Sequence, residues 1–437
     1  MSTFAELKAA LPDTAEVVDG HLHIGGCDTV RLAAEYGTPL FVFCPQTLLN
    51  RVRLFKQGFP EATIYYAAKA FLTKAVCRIL EVEGLGLDVA SGGELHTALV
   101  ASFPPERMVM HGNNKSDAEI TAAVDAGLGR IAVDNLEEID RIGAAAHRAG
   151  RVQAIFVRVT PGVEADTHKH IITGHHESKF GLSIASGAAA EAINTAIAHP
   201  DVDLAGIHCH IGSNICSAEP FEDAIDILFD FLGDLYSRAG IQIKQMNLGG
   251  GFGVPFVAGD EPFDPLSLGD AILNAAHASA EEHGLQMPQL CFEPGRWLIG
   301  NSMVTLYSVG AIKHSMDDLV FVSVDGGMSD NIRPALYQAS YEALLANNPD
   351  DGHTRAVTVA GMHCESGDVL AEGVQLPVET GRSDVVAMPA TGAYAYSMAS
   401  NYNKKPRPAV VTASGGRASV MVRRETYEDL IRLEEDP

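Results

Sequence analysis

The lysine in the segment TIYYAAKA is the first residue whose type and position could do chemistry. Lys69 follows an apolar run, so it is expected at the end of a buried strand. One explanation is a side chain that lies along apolar surface with its ammonium in water or in an ion pair. The other is a desolvated amine whose neutral form attacks a carbonyl and forms a Schiff base. Motifs elsewhere in the chain favour the second explanation.

The segment EPGR places Glu293 and Arg296 beyond another apolar run. A surface ion pair between them would contribute little to stability. The alternative is a carboxylate that keeps a heteroaromatic nitrogen protonated and so turns the ring into an electron sink.

The segment NLGGGFG, residues 247–253, follows an apolar run and lets the backbone approach an anion closely. It is not the dinucleotide-binding fingerprint, because Val254 stands where the last glycine of that motif would fall. A tight turn between a strand and a helix is the structural alternative. The position, late in the order of strands, favours a phosphate site.

The segment HCHIGSN, residues 208–214, presents two histidines and a serine together. A zinc site with Cys209 and Cys216 would not have a usual ligand spacing, so we predict no metal. An imidazole stacked on a planar ring, with the serine hydroxyl on a phosphate, fits the segment better. His168, His170, His175 and His176 fall in a polar loop, where simple solvation explains them.

Cys364 lies in the segment CESGD, between polar residues. A buried cysteine is usually a small apolar side chain. With glutamate, serine and aspartate around it, the thiol is better placed in an active site, where it could deliver a proton.

Short apolar runs separated by helical segments must position these residues. Eight such runs occur at 63–69, 86–90, 108–112, 131–135, 155–159, 206–212, 246–250 and 290–296. Eight alternating strands and helices predict a closed (β/α)8 TIM-type barrel, an α/β fold whose functional groups collect at the carboxyl ends of the strands. That edge would carry Lys69, Asp88, His111, Asn135, Arg158, His210, the glycine cluster and Glu293.

Helix start signals support the same alternation of strands and helices. Ser91 with Glu94, and Ser116 with Glu119, match the capping-box pattern, and Asn135 is a further candidate N-cap. After about residue 302 the pattern changes to β-rich runs separated by turn residues. We therefore predict a barrel over residues 43–302 and a mostly antiparallel β domain over residues 1–42 and 303–437, which carries Cys364.

Composition narrows the functional classes. The formal charge of −25 disfavours binding to nucleic acid or to an anionic membrane surface. Seven scattered cysteines do not indicate a disulfide framework, and neither a secretory signal nor a membrane-spanning run is apparent. A cytoplasmic protein without nucleic-acid or membrane partners is expected.

Taken in order, the motifs resemble those of the diaminopimelate decarboxylase family, pyridoxal-phosphate enzymes with the alanine-racemase-like barrel (fold type III). The resemblance runs nearly from end to end, through YYAAKAF, GLDVASGGEL, HGNNKS, PGVEADTHKHIITGHHESKFGL, HCHIGS, NLGGGFG, EPGR, MSDNIRPALY, CESGD and GAYAYSMASNYN. It implies decarboxylation of meso-2,6-diaminopimelate to L-lysine and carbon dioxide, the last step of lysine biosynthesis, by a homodimer with active sites at the subunit interface.

The resemblance also implies roles for individual residues. Lys69 would bind pyridoxal 5'-phosphate covalently, and His210 would stack on its ring. The phosphate would be bound by Ser213, Gly249, Gly250, Gly251 and Tyr394, next to the segment with Gly295 and Arg296. Glu293 would pair with the pyridine nitrogen, and Cys364, from the neighbouring subunit, would be the proton donor. Substrate contacts would come from Arg296, Arg333, Tyr337, Glu365 and Tyr394. The roles of Asp88, Arg158 and the histidines of 168–176 stay open.

Specificity follows from the far end of the substrate, which carries an amine and a carboxylate. Arg333 and Glu365 could bind them, since arginine grips a carboxylate bidentately. A decarboxylase of ornithine or free lysine needs only an acid there, and an arginine would be costly to desolvate. Two alternatives stay open: a related decarboxylase of ornithine, lysine, arginine or a carrier-bound amino acid, and a non-catalytic relative that binds the cofactor.

Overall fold

A computed structural model describes residues 3–162, 179–261, 263–316, 318–350 and 352–435. Two compact units make up the chain. One contains residues 52–253 and 263–295, and the other contains residues 1–51, 254–262 and 296–437. The histidines of 168–176, which were predicted to be solvated in a polar loop, lie outside the described residues.

The first unit is a closed barrel of eight parallel strands. In chain order the strands are Thr63–Ala67, Gly86–Val89, Met108–Met110, Arg130–Val133, Gln153–Thr160, Val202–His208, Gln245–Asn247 and Gln289–Phe292. Each strand pairs with the next, and the eighth closes the barrel by pairing Cys291 with Thr63 of the first. A short strand, Leu182–Ser183, adds to the fifth. The predicted barrel is confirmed.

In the residues that the structure describes, one helix precedes the first barrel strand and seven separate the strands, and three of these helices begin where the capping signals at Ser91, Ser116 and Asn135 predict. The helices span Pro45–Gly58, Lys74–Val82, Gly92–Val100, Asp117–Ala126, Leu136–Arg148, Ala188–Ala198, Glu219–Ala239 and Ser267–Glu282. Ser116 and Glu119 form the full capping box, and Asn135 accepts a hydrogen bond from the amide of Glu138. Ser91 also caps its helix, but the Glu94 carboxylate accepts from the amide of Ala90 instead of Ser91.

A small apolar cluster fills the barrel: Tyr65, Val109, Ala132, Phe156, Ala205 and Cys291. Side chains two positions apart on a strand share a face. The next inward positions after four of these residues are therefore His111, Asp134, Arg158 and Glu293. Because the apolar residues of this cluster face the barrel interior, the polar residues two positions further along these four strands are also directed inward, at the carboxyl ends of the strands.

The second unit is built around a mostly antiparallel sheet, as predicted. Its strands are Leu40–Phe43, Met303–His314, Val320–Val324, Leu344–Leu345, Thr354–Ala360, Val369–Pro377, Val385–Met388, Ala409–Ser414 and Arg417–Val422. Leu40–Phe43 pairs antiparallel with Met303–His314 and parallel with Ala409–Ser414, so the start of the chain contributes a strand to this sheet. Val320–Val324 and Thr354–Ala360 form the other parallel pair.

Short elements complete the second unit. Three strands, Glu16–Val18, His21–Ile24 and Cys27–Asp28, form a small separate sheet, and the helices are Phe4–Leu7, Thr29–Tyr36, Arg296–Ile299, Arg333–Tyr337 and Tyr427–Ile431. Among the helices in the described ranges, none is long and apolar enough to cross a membrane.

Candidate active site

The carboxylate of Glu293, just beyond the eighth barrel strand, is held by three side chains. His111 Nε2 lies 2.8 Å from Oε1, and Asn247 donates from Nδ2 to the same oxygen over 2.7 Å. His208 Nε2 lies 3.1 Å from Oε2. These partners stand at the ends of the third, seventh and sixth strands, so the closure of the barrel brings them together. The carboxylate is buried and fully oriented.

The surroundings of Glu293 keep it ionised. Burial alone would raise its pKa, but His111 and His208 lower that pKa well below the ordinary value. Burial lowers the pKa of His208 to about 3, so its imidazole is neutral at physiological pH. The result is a buried negative charge at the carboxyl ends of the strands.

Asp88, at the end of the second strand, provides a contrast. Burial raises the pKa of Asp88, although His111 opposes the shift. Its Oδ1 is 3.8 Å from His111 Nε2 and, among the described residues, has no hydrogen-bond partner. The pKa values of these two carboxylates near the same imidazole therefore shift in opposite directions. Glu293 accepts hydrogen bonds from three side chains, whereas Asp88 accepts none from His111.

Lys69 follows the first strand in a single 3₁₀ turn, Ala68–Ala70. Its side chain is exposed, whereas both neighbouring alanines are buried. The ammonium acts on the nearby groups, since it opposes the rise in the pKa of Asp88 and helps to lower the pKa of His210. Burial raises the pKa of Glu94, which also faces Lys69, to about 7.

The glycine turn after the seventh strand packs backbone against backbone. A Cβ atom on Gly249, Gly250 or Gly251 would lie 2.5, 2.2 or 2.5 Å from a backbone oxygen of Cys209, Glu293 or Gly212, respectively. Larger residues are excluded at all three positions. The amide of Gly249 donates to the side chain of Asn247 over 2.9 Å, which joins this turn to the Glu293 cluster.

His210 is held in one neutral form by the same turn. The amide of Gly250 donates to His210 Nδ1 over 3.2 Å, so this nitrogen is the acceptor and the proton lies on Nε2. Burial, and then the charge of Lys69, lower the pKa of His210 well below its ordinary value. A neutral, fixed imidazole suits stacking on a flat ring. Ser213 follows in the loop after the sixth strand and is half-buried.

Arg158 lies in the fifth strand, two residues before its end, and pairs in register with His208 of the sixth. Its Nε is 3.8 Å from Asp134 Oδ1, and its guanidinium lies 4.5 Å from the centre of the Phe180 ring. Burial lowers the pKa of Arg158, and Asp134 opposes that shift. Arg158 therefore pairs with the fourth strand.

In the second unit, two arginines share an aromatic environment. The guanidinium of Arg296 is 4.8 Å from the ring centre of Tyr394, and that of Arg333 is 5.3 Å from the ring centre of Tyr337. Both also lie over Phe256, at 5.5 and 5.9 Å. Burial, and then the like charge of Arg333, lower the pKa of Arg296 to about 10. Among the described residues, Nε of Arg333 is buried without a hydrogen-bond partner. This pair suits an anionic ligand.

Cys364 and Glu365 are exposed in a turn of the second unit. The residue before them is the anchor, because His363 is buried, with Nε2 2.7 Å from Ser329 Oγ and Nδ1 3.0 Å from Asn403 Oδ1. The buried carboxylate of Asp368 accepts from the amides of Met328 and His363. The turn is thus fixed from both sides while the thiol stays accessible.

Sequence reasoning did not identify two of the partners of Glu293. His208 was considered only as a metal ligand, and Asn247 only as the start of the glycine turn. Asn135, expected at the barrel mouth or as an N-cap, caps its helix. In the part of the chain that the structure describes, the histidines, cysteines and acids close enough to share a metal are His111, His208 and Glu293, without Cys209 or Cys216.

The barrel residues fit pyridoxal phosphate. The glycine turn leaves no room for side chains beside the backbone, and Glu293 offers a buried negative charge for the protonated ring nitrogen. Lys69 supplies an exposed amine whose charge acts on Asp88 and His210.

Comparisons with known proteins support the same cofactor. Residues 46–300 match the family described as "Pyridoxal-dependent decarboxylase, pyridoxal binding domain". The chain is 44% identical over 419 residues to the diaminopimelate decarboxylase of Bacillus subtilis (strain 168), covering 95% of both chains. It is 45% identical over 424 residues to that of Mycobacterium tuberculosis (strain ATCC 25618 / H37Rv), again covering 95% of both. The crystal structure of diaminopimelate decarboxylase from M. jannaschii in complex with L-lysine superimposes with a TM-score of 0.91 at 34% identity, covering 97% of this chain and 98% of that one.

Fold and site therefore define a pyridoxal-dependent decarboxylase. Within that class, the chain belongs to the diaminopimelate decarboxylase family.

Proposed function

We propose that this chain removes carbon dioxide from meso-2,6-diaminopimelate and releases L-lysine. The structural observation that carries the substrate assignment is the pair Arg296 and Arg333, two buried cations in an aromatic environment. A substrate with carboxylates at both ends gives each guanidinium an anion, whereas ornithine and lysine have none at the far end. The relatives named diaminopimelate decarboxylase, and the solved one that binds L-lysine, support the same reaction.

Pyridoxal phosphate, when bound, supplies the electron sink that accepts the electron pair of the broken C–C bond. Lys69 holds the cofactor covalently, and Glu293 holds a proton on the ring nitrogen. His210 covers one face of the ring. Ser213, the amides of the Gly249–Gly251 turn and the hydroxyl of Tyr394 bind the phosphate, next to Gly295. Because Gly249 and Gly250 donate within the chain, Gly251 is the glycine we expect to contribute most.

Cys364 provides the proton. When the C–C bond to the departing carboxylate breaks, carbon dioxide leaves, and the thiol gives its proton to the α-carbon. Glu365 binds the far ammonium, and Arg333 and Tyr337 bind the far carboxylate. We further propose that Cys364 acts in the neighbouring subunit of a homodimer and that the enzyme is cytoplasmic.

Incubation of the purified protein and pyridoxal phosphate with meso-diaminopimelate tests the reaction. Carbon dioxide and L-lysine should appear in equal amounts, and ornithine and L-lysine should be decarboxylated far more slowly. Absence of lysine formation, or a preference for ornithine, would overturn the proposal in favour of another decarboxylase of this fold. A protein that binds the cofactor and turns over none of these amino acids would be a non-catalytic relative.

A further inference from the structure

The side chains around Glu293 occupy most of the hydrogen-bond acceptor positions of its carboxylate. An ionised carboxylate offers about four acceptor positions, two on each oxygen. His111 and Asn247 fill both positions on Oε1, and His208 fills one on Oε2. One position, on Oε2, is left for a further donor.

We propose that His111, His208 and Asn247 are positioning residues that keep Glu293 ionised and direct its remaining acceptor position at the proton of the cofactor ring nitrogen. This inference rests on the proposed function and deepens it. None of the three residues needs to touch the substrate, since each acts through Glu293.

Comparison with Asp88 shows what the donors do. Both carboxylates are buried near His111, with relative exposures of 4% for Asp88 and 6% for Glu293. Asp88 lies 3.8 Å from the imidazole nitrogen and takes no hydrogen bond from it, whereas Glu293 accepts from three side chains. The pKa of Asp88 is raised and that of Glu293 is lowered. Without its donors, Glu293 would follow Asp88, because burial would then dominate. A protonated Glu293 could no longer stabilise a cationic ring.

A metal ion is the competing explanation for this cluster. The three potential ligand atoms of His111, His208 and Glu293 lie within 4.8 Å of one another. A histidine bound to a metal through one nitrogen nearly always donates from the other to a fixed acceptor. Nδ1 of His208 is buried with no such partner in the described part of the chain. Asn247 also donates directly to Glu293, as expected for a carboxylate held by hydrogen bonds.

Matched substitutions separate the donor from the packing. His208→Gln keeps an N–H donor of similar reach, and His208→Met has similar bulk without a donor. The same pair can be made at His111, on a different strand, in case the first site does not tolerate change. Each variant is prepared as the holoenzyme with cofactor labelled by ¹⁵N in the pyridine ring, and the ¹⁵N chemical shift reports whether that nitrogen carries a proton.

The wild-type enzyme and the glutamine variants should show a protonated ring nitrogen. The methionine variants should keep the visible cofactor band, lose the protonated ¹⁵N signal, and lose about tenfold or more in kcat with little change in KM, as expected for one lost charge-assisted hydrogen bond. Methionine variants with the wild-type ¹⁵N shift and kcat would overturn the inference. If the cofactor-free wild-type protein bound zinc tightly, and both variants at one position abolished that binding equally, the inference would be overturned in favour of a metal site. Failure of the wild-type enzyme to make lysine would instead refute the proposed function, whatever the ¹⁵N shifts show.

Discussion

His111 Nε2 lies 2.8 Å from Oε1 of Glu293, although 182 positions separate the two residues in the chain. The contact joins the end of the third barrel strand to the end of the eighth, across the barrel interior. It is a buried, charge-assisted interaction, which is stronger than a neutral hydrogen bond. Its consequence is a carboxylate that stays negative where solvent cannot screen it.

Replacement of the Glu293 carboxylate should slow catalysis but leave the cofactor bound. We expect Glu293→Gln to keep the cofactor but to lower kcat by about 100- to 1,000-fold, the range for loss of one preorganised electrostatic contact. KM should change little, because Glu293 does not bind the substrate. Steady-state kinetics with meso-diaminopimelate, alongside the visible spectrum, measures both effects. Unchanged kcat would show that the ring nitrogen needs no acid.

Acid should destabilise the chain through His208. Its folded pKa of about 3 is below the ordinary 6.5, so the unfolded chain takes up the extra proton as the pH falls below about 6.5. The stabilising contribution is complete above pH 6.5 and is lost progressively towards pH 3. The lowered pKa of Glu293 acts in the same direction below its ordinary 4.5. His208→Gln should therefore flatten the decline in stability between pH 6.5 and 5.

Urea unfolding midpoints of the cofactor-free chain at pH 7, 6 and 5 measure this decline. His147→Gln is the matched control, because that imidazole is exposed on the surface. Equal pH dependence of His208→Gln and the wild-type chain would contradict the prediction.

Mixing two inactive variants should restore activity if Cys364 acts in the neighbouring subunit. Lys69→Ala and Cys364→Ala each remove one partner, so each homodimer is inactive. Random exchange makes half of the dimers mixed, and each mixed dimer has one intact site of two, which predicts about a quarter of wild-type activity. Activity assays after co-refolding, with sedimentation to confirm the dimer, check this. No recovery in mixed dimers would place both residues in one subunit.

Arg333 should determine the choice of substrate. We expect Arg333→Met to raise KM for meso-diaminopimelate by about 10- to 100-fold, from the loss of hydrogen bonds to a charged group. Slow turnover of ornithine should not fall further, because ornithine has no far carboxylate. Arg417→Met, an exposed arginine in a hairpin, controls for the change in net charge. A parallel loss on both substrates would argue against a role in specificity.

The sequence was sufficient to predict the barrel, because each strand is a compact apolar run that ends in a polar or small residue. The same pattern predicted the position of Glu293 at the carboxyl end of the eighth strand, and in the structure Glu293 directly follows that strand. The outer sheet was predicted less completely. The β-rich runs predicted after residue 302 are 303–314, 319–326, 354–361, 384–390, 408–415 and 418–425. Val369–Pro377 is not among them, because Glu372 and Gly373 interrupt its apolar pattern with exposed positions.

The role of His208 could not be read from alternation. Ala205 faces the barrel interior, so a regular strand would direct Ile207 inward and His208 outward. The register shifts between Leu204 and Gly206, and this irregularity reverses the alternation so that His208 reaches Glu293. Asn247 was not identified as a partner of Glu293, because in the sequence it is only the first residue of the glycine turn. In the structure its side chain accepts from the amide of Gly249 and also donates to Glu293. The predicted domain limits, 43–302 against 1–42 with 303–437, stay a prediction.

The most direct test of the account is the covalent attachment of the cofactor. Borohydride treatment of the holoenzyme, followed by proteolysis and mass spectrometry, should find the reduced pyridoxyl group on the peptide that contains Lys69, and Lys69→Ala should abolish both the label and the visible band. Lys115 is buried, and its Nζ lies 2.9 Å from Oε2 of Glu138. A label on Lys115, or on any lysine other than Lys69, would contradict the assignment of Lys69 as the residue that binds the cofactor.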